Sequence, residues 1–391
     1  MTRVDLVWLN AGGGHRAAAQ ALEQVMHAQG RPWQVRKVNL TEVLDPQARF
    51  QRYAGIAPED LYNRRLASGF TLGLAQELKL LQGLIRFSHA ALVQRLARHW
   101  QATQPDLVVS LIPNFNRALH DSLALARPGV PFVTVLTDMA DHPPNFWIEP
   151  DSDQHLVCGT DRAIEQALAA GCDPIRLHRS SGMILRPEFY LPAAMDRAAE
   201  RLRVGLDAAT PTGLVLFGGT GSRVMRRIAA RLPDTPLILM CGRNAALADA
   251  LRALPSSAAR APRLVLGHTP DVAHWMRLAD FFIGKPGPGS LSEAVQIGLP
   301  VIVTRNAWTM PQERWNTEWV RQHGLGVVER SFGRVREAVA EVVQRLPEYQ
   351  ARVRRMHNRA VFEVPQILQR ILETRASVPA AAPPARATSS A

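Results

Sequence analysis

The chain is poor in lysine, cysteine and tyrosine. Of its 46 basic residues only Lys37, Lys79 and Lys285 are lysines, and its 391 residues include 3 cysteines and 4 tyrosines. Cys158, Cys172 and Cys241 are odd in number and far apart, which excludes a disulfide framework and reads as buried thiols. The absence of Cys-x-x-Cys and of any His/Cys cluster leaves no signature for zinc. No run approaches the ~18 uninterrupted apolar residues of a membrane-spanning helix. The first residues enter a strand-like segment without the charged-then-apolar layout of a signal peptide, which sets the expectation of a cytoplasmic chain. Acidic residues are also scarce, 34 against 46 basic, for a net charge of +12. Such a chain seeks anions. Zinc-finger spacing and the aromatic–basic signature of RNA-binding sheets are both missing, so nucleic acid is not an expected partner. Phosphorylated substrates or an anionic lipid surface remain.

What is present is a repeated alternation. Short apolar, β-prone runs recur at residues 4–9, 35–40, 107–112, 132–136, 156–158, 214–217, 237–240, 264–266, 281–283 and 301–303, with Ala-, Leu-, Arg- and Gln-rich helical runs between them. Runs without polar alternation are typical of strands buried on both faces, and strand–helix alternation predicts parallel sheets in an α/β fold. The pattern pauses at "RSSGMILRPEFYLP" and restarts near Thr212, which places a boundary there and predicts domains at 1–185 and 186–363. The segment "SVPAAAPPARATSSA", 377–391, is low-complexity and expected to be disordered. Residues 64–100 carry no strand signal. There Leu74, Leu78, Leu81 and Ile85 share one helical face, and Gln76, Lys79, Gln82 and Arg86 another. This insertion is either a core-packing helical unit or a helix that dips into an anionic membrane interface.

Three glycine-rich turns carry the chemistry. "AGGGH" follows the first strand and opens a helix, where free backbone N–H groups and the helix dipole favour a phosphate. It lacks the Gly-Lys-Ser/Thr of a P-loop, and Asn39 stands where a dinucleotide fold carries its ribose-binding acid. "FGGTGS" (217–222) repeats the layout at the head of the second half. "GKPGPGSLSEA" (284–294) follows a further strand. Its Gly/Pro density predicts a loop, with a helix from about Leu291 and Glu293 in the first turn. There a carboxylate serves either two ribose hydroxyls or simply the helix dipole. Gln312, Glu313 and Asn316 crowd the next strand–helix loop with groups suited to sugar hydroxyls.

Both Gly loops, "LILMCGRN", "GHTPDVAHWM" and "GKPGPGSLSEA" together resemble the glycosyltransferases that include monogalactosyldiacylglycerol synthase, the bacterial diacylglycerol glucosyltransferases and, more distantly, the peptidoglycan N-acetylglucosaminyltransferase. The resemblance runs over about residues 4–330. It implies the GT-B fold, two Rossmann-like domains facing across a cleft. The acceptor domain would be 1–185, the UDP-sugar domain 186–363, and a helix at 364–376 would cross back. It also implies inverting, metal-independent hexose transfer from a UDP-sugar co-substrate to diacylglycerol or a related lipid, with no bound cofactor, by a protein held peripherally on the inner face of a membrane. By position, Gly14, Gly219, Thr220, Gly221 and Gly287, Pro288, Gly289 and Ser290 match the diphosphate-binding turns. His268 and Thr269 match the residues beside the uracil, and Glu293 the ribose carboxylate. Arg243 matches a basic residue near the nucleotide, and Gln312, Glu313 and Asn316 the sugar-binding run. His15 matches the proposed catalytic base, and Asp138 and His142 an acceptor-side segment. The departures, Leu9-Asn10-Ala11, Ile112-Pro113 and "HPPNFW", fall on the acceptor side. A soluble UDP-sugar enzyme on the same fold (a natural-product glycosyltransferase or UDP-N-acetylglucosamine epimerase) and a non-catalytic lipid- or nucleotide-binding protein are the competing readings.

Overall fold

A computed structural model describes residues 1–10, 13–47, 52, 74–192, 195–254 and 261–377. The first ten residues of the 64–100 insertion and the 378–391 part of the low-complexity tail lie outside them; Ser377 closes the last helix. The first sheet is parallel, with strands β1 (Thr2–Trp8), β2 (Trp33–Asn39), β3 (Leu107–Ser110), β4 (Phe132–Val135), β5 (His155–Cys158) and β6 (Leu177–Arg179) in the order β2-β1-β3-β4-β5-β6. The second, also parallel, contains β7 (Gly213–Leu216), β8 (Leu237–Met240), β9 (Arg263–Leu266), β10 (Phe281–Gly284), β11 (Val301–Thr304) and β12 (Gly326–Glu329) in the order β12-β11-β10-β7-β8-β9. The central strands are buried on both faces, as their unbroken apolar runs require. Strands β6 and β12 went unread in the sequence. They are short edge strands, and "LHR" and "GVVE" carry polar residues that a doubly covered strand would not.

The strand order reverses between β1 and β3 in the first sheet and between β7 and β10 in the second. A crevice opens beyond the C-terminal ends of the strands at each such point. The loops there are the three Gly-rich turns, so topology, and not only glycine content, puts them on facing edges.

Helices cover both sheets. Helix α1 (Gly14–Ala28) buries Ala18, Leu22, Val25 and Met26 against one face of the first sheet, and the last helix, Ala360–Ser377, completes the same core with Val361, Val364, Leu368 and Ile371. Short helix α2 is Leu40–Leu44. The inserted segment forms α3 (Leu74–Phe87) and α4 (His89–Thr103). The two insertion readings divide between these helices. Helix α4 buries Leu96 and Trp100 beside α5 (Asn116–Ala126), and the Trp100 indole donates to Ser122 Oγ at 2.9 Å. Helix α3 inserts Leu78, and Gln82 donates to the Asn145 carbonyl at 3.1 Å, whereas Leu80, Leu84 and Phe87 are 74%, 61% and 90% exposed. Leu81, expected beside Leu78, is exposed, and Gln82 faces the protein instead. No helix among the described residues is long and apolar enough to cross a membrane.

The two halves interlock. Met139 and Met183 enter the core of the second sheet, and Met310 enters that of the first. The two connecting segments are bonded to each other: Asn358 Nδ2 donates to the Met183 carbonyl at 2.9 Å and the Arg359 N–H to Ser181 Oγ at 2.7 Å.

Candidate active site

Between the facing strand ends lies a cleft of about 1970 Å³. Of the expected donor-side residues its walls include Gly219, Thr220, Gly221, Arg243, His268 and Glu313, with Asn10, Gly13 and Arg16 facing them from the first domain. Gly14, Thr269, Gly287 to Ser290, Glu293, Gln312 and Asn316 are not part of that lining. Arg16, Arg223, Arg226, Arg227, Arg231, Arg243 and Lys285 line it against a single acid among the described residues, Glu313, so the cleft is built for an anion.

The Gly218–Gly221 turn precedes helix α8 (Val224–Arg231) and is braced by the loop between β8 and α9 (Ala245–Arg252). The Arg243 N–H donates to the Gly219 carbonyl at 2.9 Å and Asn244 Nδ2 to the Thr220 carbonyl at 3.2 Å. Gly242 makes this contact possible. Its φ is 58°, and a Cβ there would lie 2.2 Å from the Gly219 oxygen. Gly242→Ala is therefore expected to push the turn out of place, and, where the turn holds the diphosphate expected from the sequence, to weaken UDP binding by ~10-fold or more. Calorimetric titration with UDP checks this, and an unchanged affinity would show the turn to be dispensable.

Helix α11 (Pro288–Ile297) follows α10 (Val272–Leu278) and starts three residues earlier than the sequence predicts. Proline at the first helical position loses no needed N–H and presets φ, so the Gly/Pro-rich run is a helix start. Glu293 consequently lies in the second turn rather than the first. It makes no hydrogen bond among the described residues, and burial pushes it up to about 7 against the opposing charge of Arg186. Beyond β11, a 3-10 turn (Pro311–Glu313) leads into α12 (Arg314–Gln322). Glu313, 3% exposed, pairs with Lys285 Nζ at 2.6 Å. Asn316 donates through Nδ2 to the Pro286 carbonyl at 2.8 Å, which orients its amide. Its Oδ1 and the Oε1 of Gln312 are buried acceptors without a partner. Buried polar atoms of this kind are ordinarily completed by an ordered water or an ion.

On the first domain three loops converge. His15, at the start of α1, has Nδ1 3.2 Å from Thr137 Oγ1, bonds through its ring to the Leu111 carbonyl, and is lowered by burial to about 4. It is therefore neutral at pH 7. Asp138 accepts from Trp147 Nε1 at 3.0 Å, and the Trp147 and His15 rings lie 6.1 Å apart. Burial raises the Asp138 carboxyl to about 7 despite that bond, with Glu313 raising and Lys285 lowering it across the cleft. His142, on the same segment, is lowered by burial and by Arg162 and Arg305. Thr137, Asp141 and Trp147 were not singled out in the sequence. Asp141 accepts the N–H groups of Asn145, Phe146 and Trp147 at 3.0, 3.0 and 2.6 Å. The signal was there, an aspartate ahead of a Pro-Pro-Asn turn, which invites side-chain-to-backbone bonding. Among the described residues no group of three or more His, Cys, Asp or Glu could hold a metal ion.

Comparisons agree with this frame. The family model for monogalactosyldiacylglycerol (MGDG) synthase matches residues 15–179. The probable MGDG synthase 2 of Oryza sativa subsp. indica, a chloroplast protein, is 25% identical over 417 residues, spanning 96% of this chain and 82% of that one. Among solved structures, MurG of Acinetobacter baumannii has a TM-score of 0.63 at 14% identity and covers 95% of this chain and 100% of its own. MnaA of S. aureus, solved with UDP, has a TM-score of 0.58 at 15% identity, with coverages of 97% and 98%. The two parallel six-stranded sheets and their flanking helices match these neighbours, and the fold is GT-B.

Proposed function

Taking this GT-B chain as a glycosyltransferase of the MGDG synthase family, we propose that it moves a hexose from a UDP-sugar to diacylglycerol or a related lipid, with inversion. The observation that carries this is the cationic cleft itself, lined by Arg16, Arg223, Arg243 and Lys285 with the Lys285–Glu313 ion pair in its wall. The Glu313 carboxylate suits sugar hydroxyls, and the arginines suit a diphosphate next to it. His268 and Glu293 would receive the uridine, and the turns at Gly219–Gly221 and Gly287–Ser290 the phosphates. As UDP leaves, its growing charge meets backbone N–H groups and arginines already in place, which stabilises the transition state without reorganisation.

The acceptor reading rests on α3. Its exposed Leu80, Leu84 and Phe87 lie on a helix that also carries Lys79 and Arg86, a surface suited to peripheral contact with an anionic leaflet where a lipid acceptor resides. The test is a matrix of UDP-galactose, UDP-glucose and UDP-N-acetylglucosamine against diacylglycerol in anionic vesicles, read by product mass. One added sugar on diacylglycerol is expected. Reaction with soluble acceptors alone, or epimerisation of the donor without an acceptor, would overturn the proposal.

A further inference from the structure

We propose that Asp138 is the catalytic residue that takes the proton from the acceptor hydroxyl, with Trp147 as the residue that positions it; this rests on the transferase reading above. The carboxylate is held by a buried chain. Ser110 Oγ donates to Asn116 Oδ1 at 2.6 Å, Asn116 Nδ2 to the Trp147 carbonyl at 3.1 Å, and Trp147 Nε1 to Asp138 Oδ2 at 3.0 Å. Ser110, Asn116 and Trp147 are all fully buried. The indole therefore cannot turn away, and Oδ1 of Asp138 is left as the open oxygen. The charged groups around it are Asp141 on its own loop and Lys285 and Glu313 on the opposite domain, at the place where the donor sugar is expected.

His15 stands close by but is a poorer acceptor. Its ring is engaged by Thr137 and Leu111, and burial disfavours the imidazolium that proton uptake would create. The same burial disfavours the carboxylate of Asp138 and strengthens it as a base, into the range where a general base works best at neutral pH. In the step itself, the acceptor oxygen forms a bond to the anomeric carbon while its proton passes to Asp138. The bond from that carbon to the diphosphate breaks, and its electron pair leaves on UDP. Asp138 later releases the proton to solvent. His15 is then a neutral wall beside the acceptor oxygen.

The experiment compares wild type, Asp138→Asn and His15→Gln. Asparagine keeps the acceptor for the Trp147 indole, so the fold is retained and UDP affinity should stay within about twofold. A kcat loss of at least ~10²-fold is expected for Asp138→Asn. Wild-type kcat/KM should fall below about pH 7, and His15→Gln should be slower with that limb in place. Asp138→Asn at more than a tenth of wild-type kcat, or a limb that disappears in His15→Gln, overturns the assignment. A second readout needs no turnover. The Trp147 indole N–H resonance, assigned with Trp147→Phe, should titrate near pH 7 in wild type and be flat in Asp138→Asn. A flat wild-type response overturns the assignment as well. If no acceptor is glycosylated, the transferase reading fails, while the titration still decides the state of Asp138.

Discussion

Glu313→Gln is expected to lower kcat/KM for the UDP-hexose by roughly 10²–10³-fold while leaving the affinity for UDP itself within about threefold. Glu313 is 3% exposed, and its carboxylate meets Lys285 Nζ at 2.6 Å. The Lys285 side chain is 37% exposed, so the ion pair is partly screened; the expected loss is that of withdrawing one preorganised group from the reacting centre, roughly 10²–10³-fold. On the proposed reading the loss falls on the sugar, because Glu313 lines the cleft from the loop after β11, whereas the Gly218–Gly221 turn proposed for the diphosphate is braced separately by Arg243 and Asn244. Steady-state kinetics beside UDP calorimetry separate the two terms. Equal losses in both would place Glu313 on the nucleotide instead.

Arg201→Ala should destabilise the second domain by about 3–5 kcal/mol, the usual cost of stripping one partner from a buried ion pair. Arg201, on α7 (Arg197–Arg203), is 1% exposed. It donates to the carbonyls of Leu278 and Ala208 at 2.8 and 3.2 Å and to Asp280 Oδ2 at 2.5 Å. Asp280 in turn accepts the Thr212 N–H at 2.7 Å, at the entrance to β7. The variant removes the side-chain donors to two carbonyls and to Asp280 Oδ2, which then keeps only the Thr212 N–H. Arg197 also reaches Asp280 at 2.7 Å, but its side chain is 42% exposed and held less firmly. Urea denaturation followed by circular dichroism measures the loss. A change below about 1 kcal/mol would show that Arg197 substitutes for it.

The sequence exposes the α/β alternation because strands covered on both faces are largely apolar, and "LVVS", "FVTV" and "LILM" are runs of strand length set between longer helical ones. It exposes the Gly turns because a backbone that bends beside a ligand has few alternatives. Helix starts are harder. "GPGS" reads as loop by composition, yet proline at the first position and glycine before it are an ordinary helix entry, and the position of Glu293 shifts by most of a turn as a result. The acceptor side was legible only in part. Asp138 and His15 could be picked out, but the bonds that define their chemistry join Asn116 to Trp147 and Thr137 to His15, residues 31 and 122 positions apart. Neither periodicity nor local composition records such pairs. Arg201 shows the same limit: in sequence it is one more arginine on a charged helix, and only the fold reveals its burial.

The last helix also has a consequence for the order of assembly. Val361, Val364, Ile367, Leu368 and Ile371 sit in the same core as Val4, Leu6 and Leu22. These residues follow every strand of both sheets in the chain, so they are synthesised after all of them. The first half to be synthesised is thus the last to be sealed. The core of the first sheet can therefore close only once the second sheet's strands have been made.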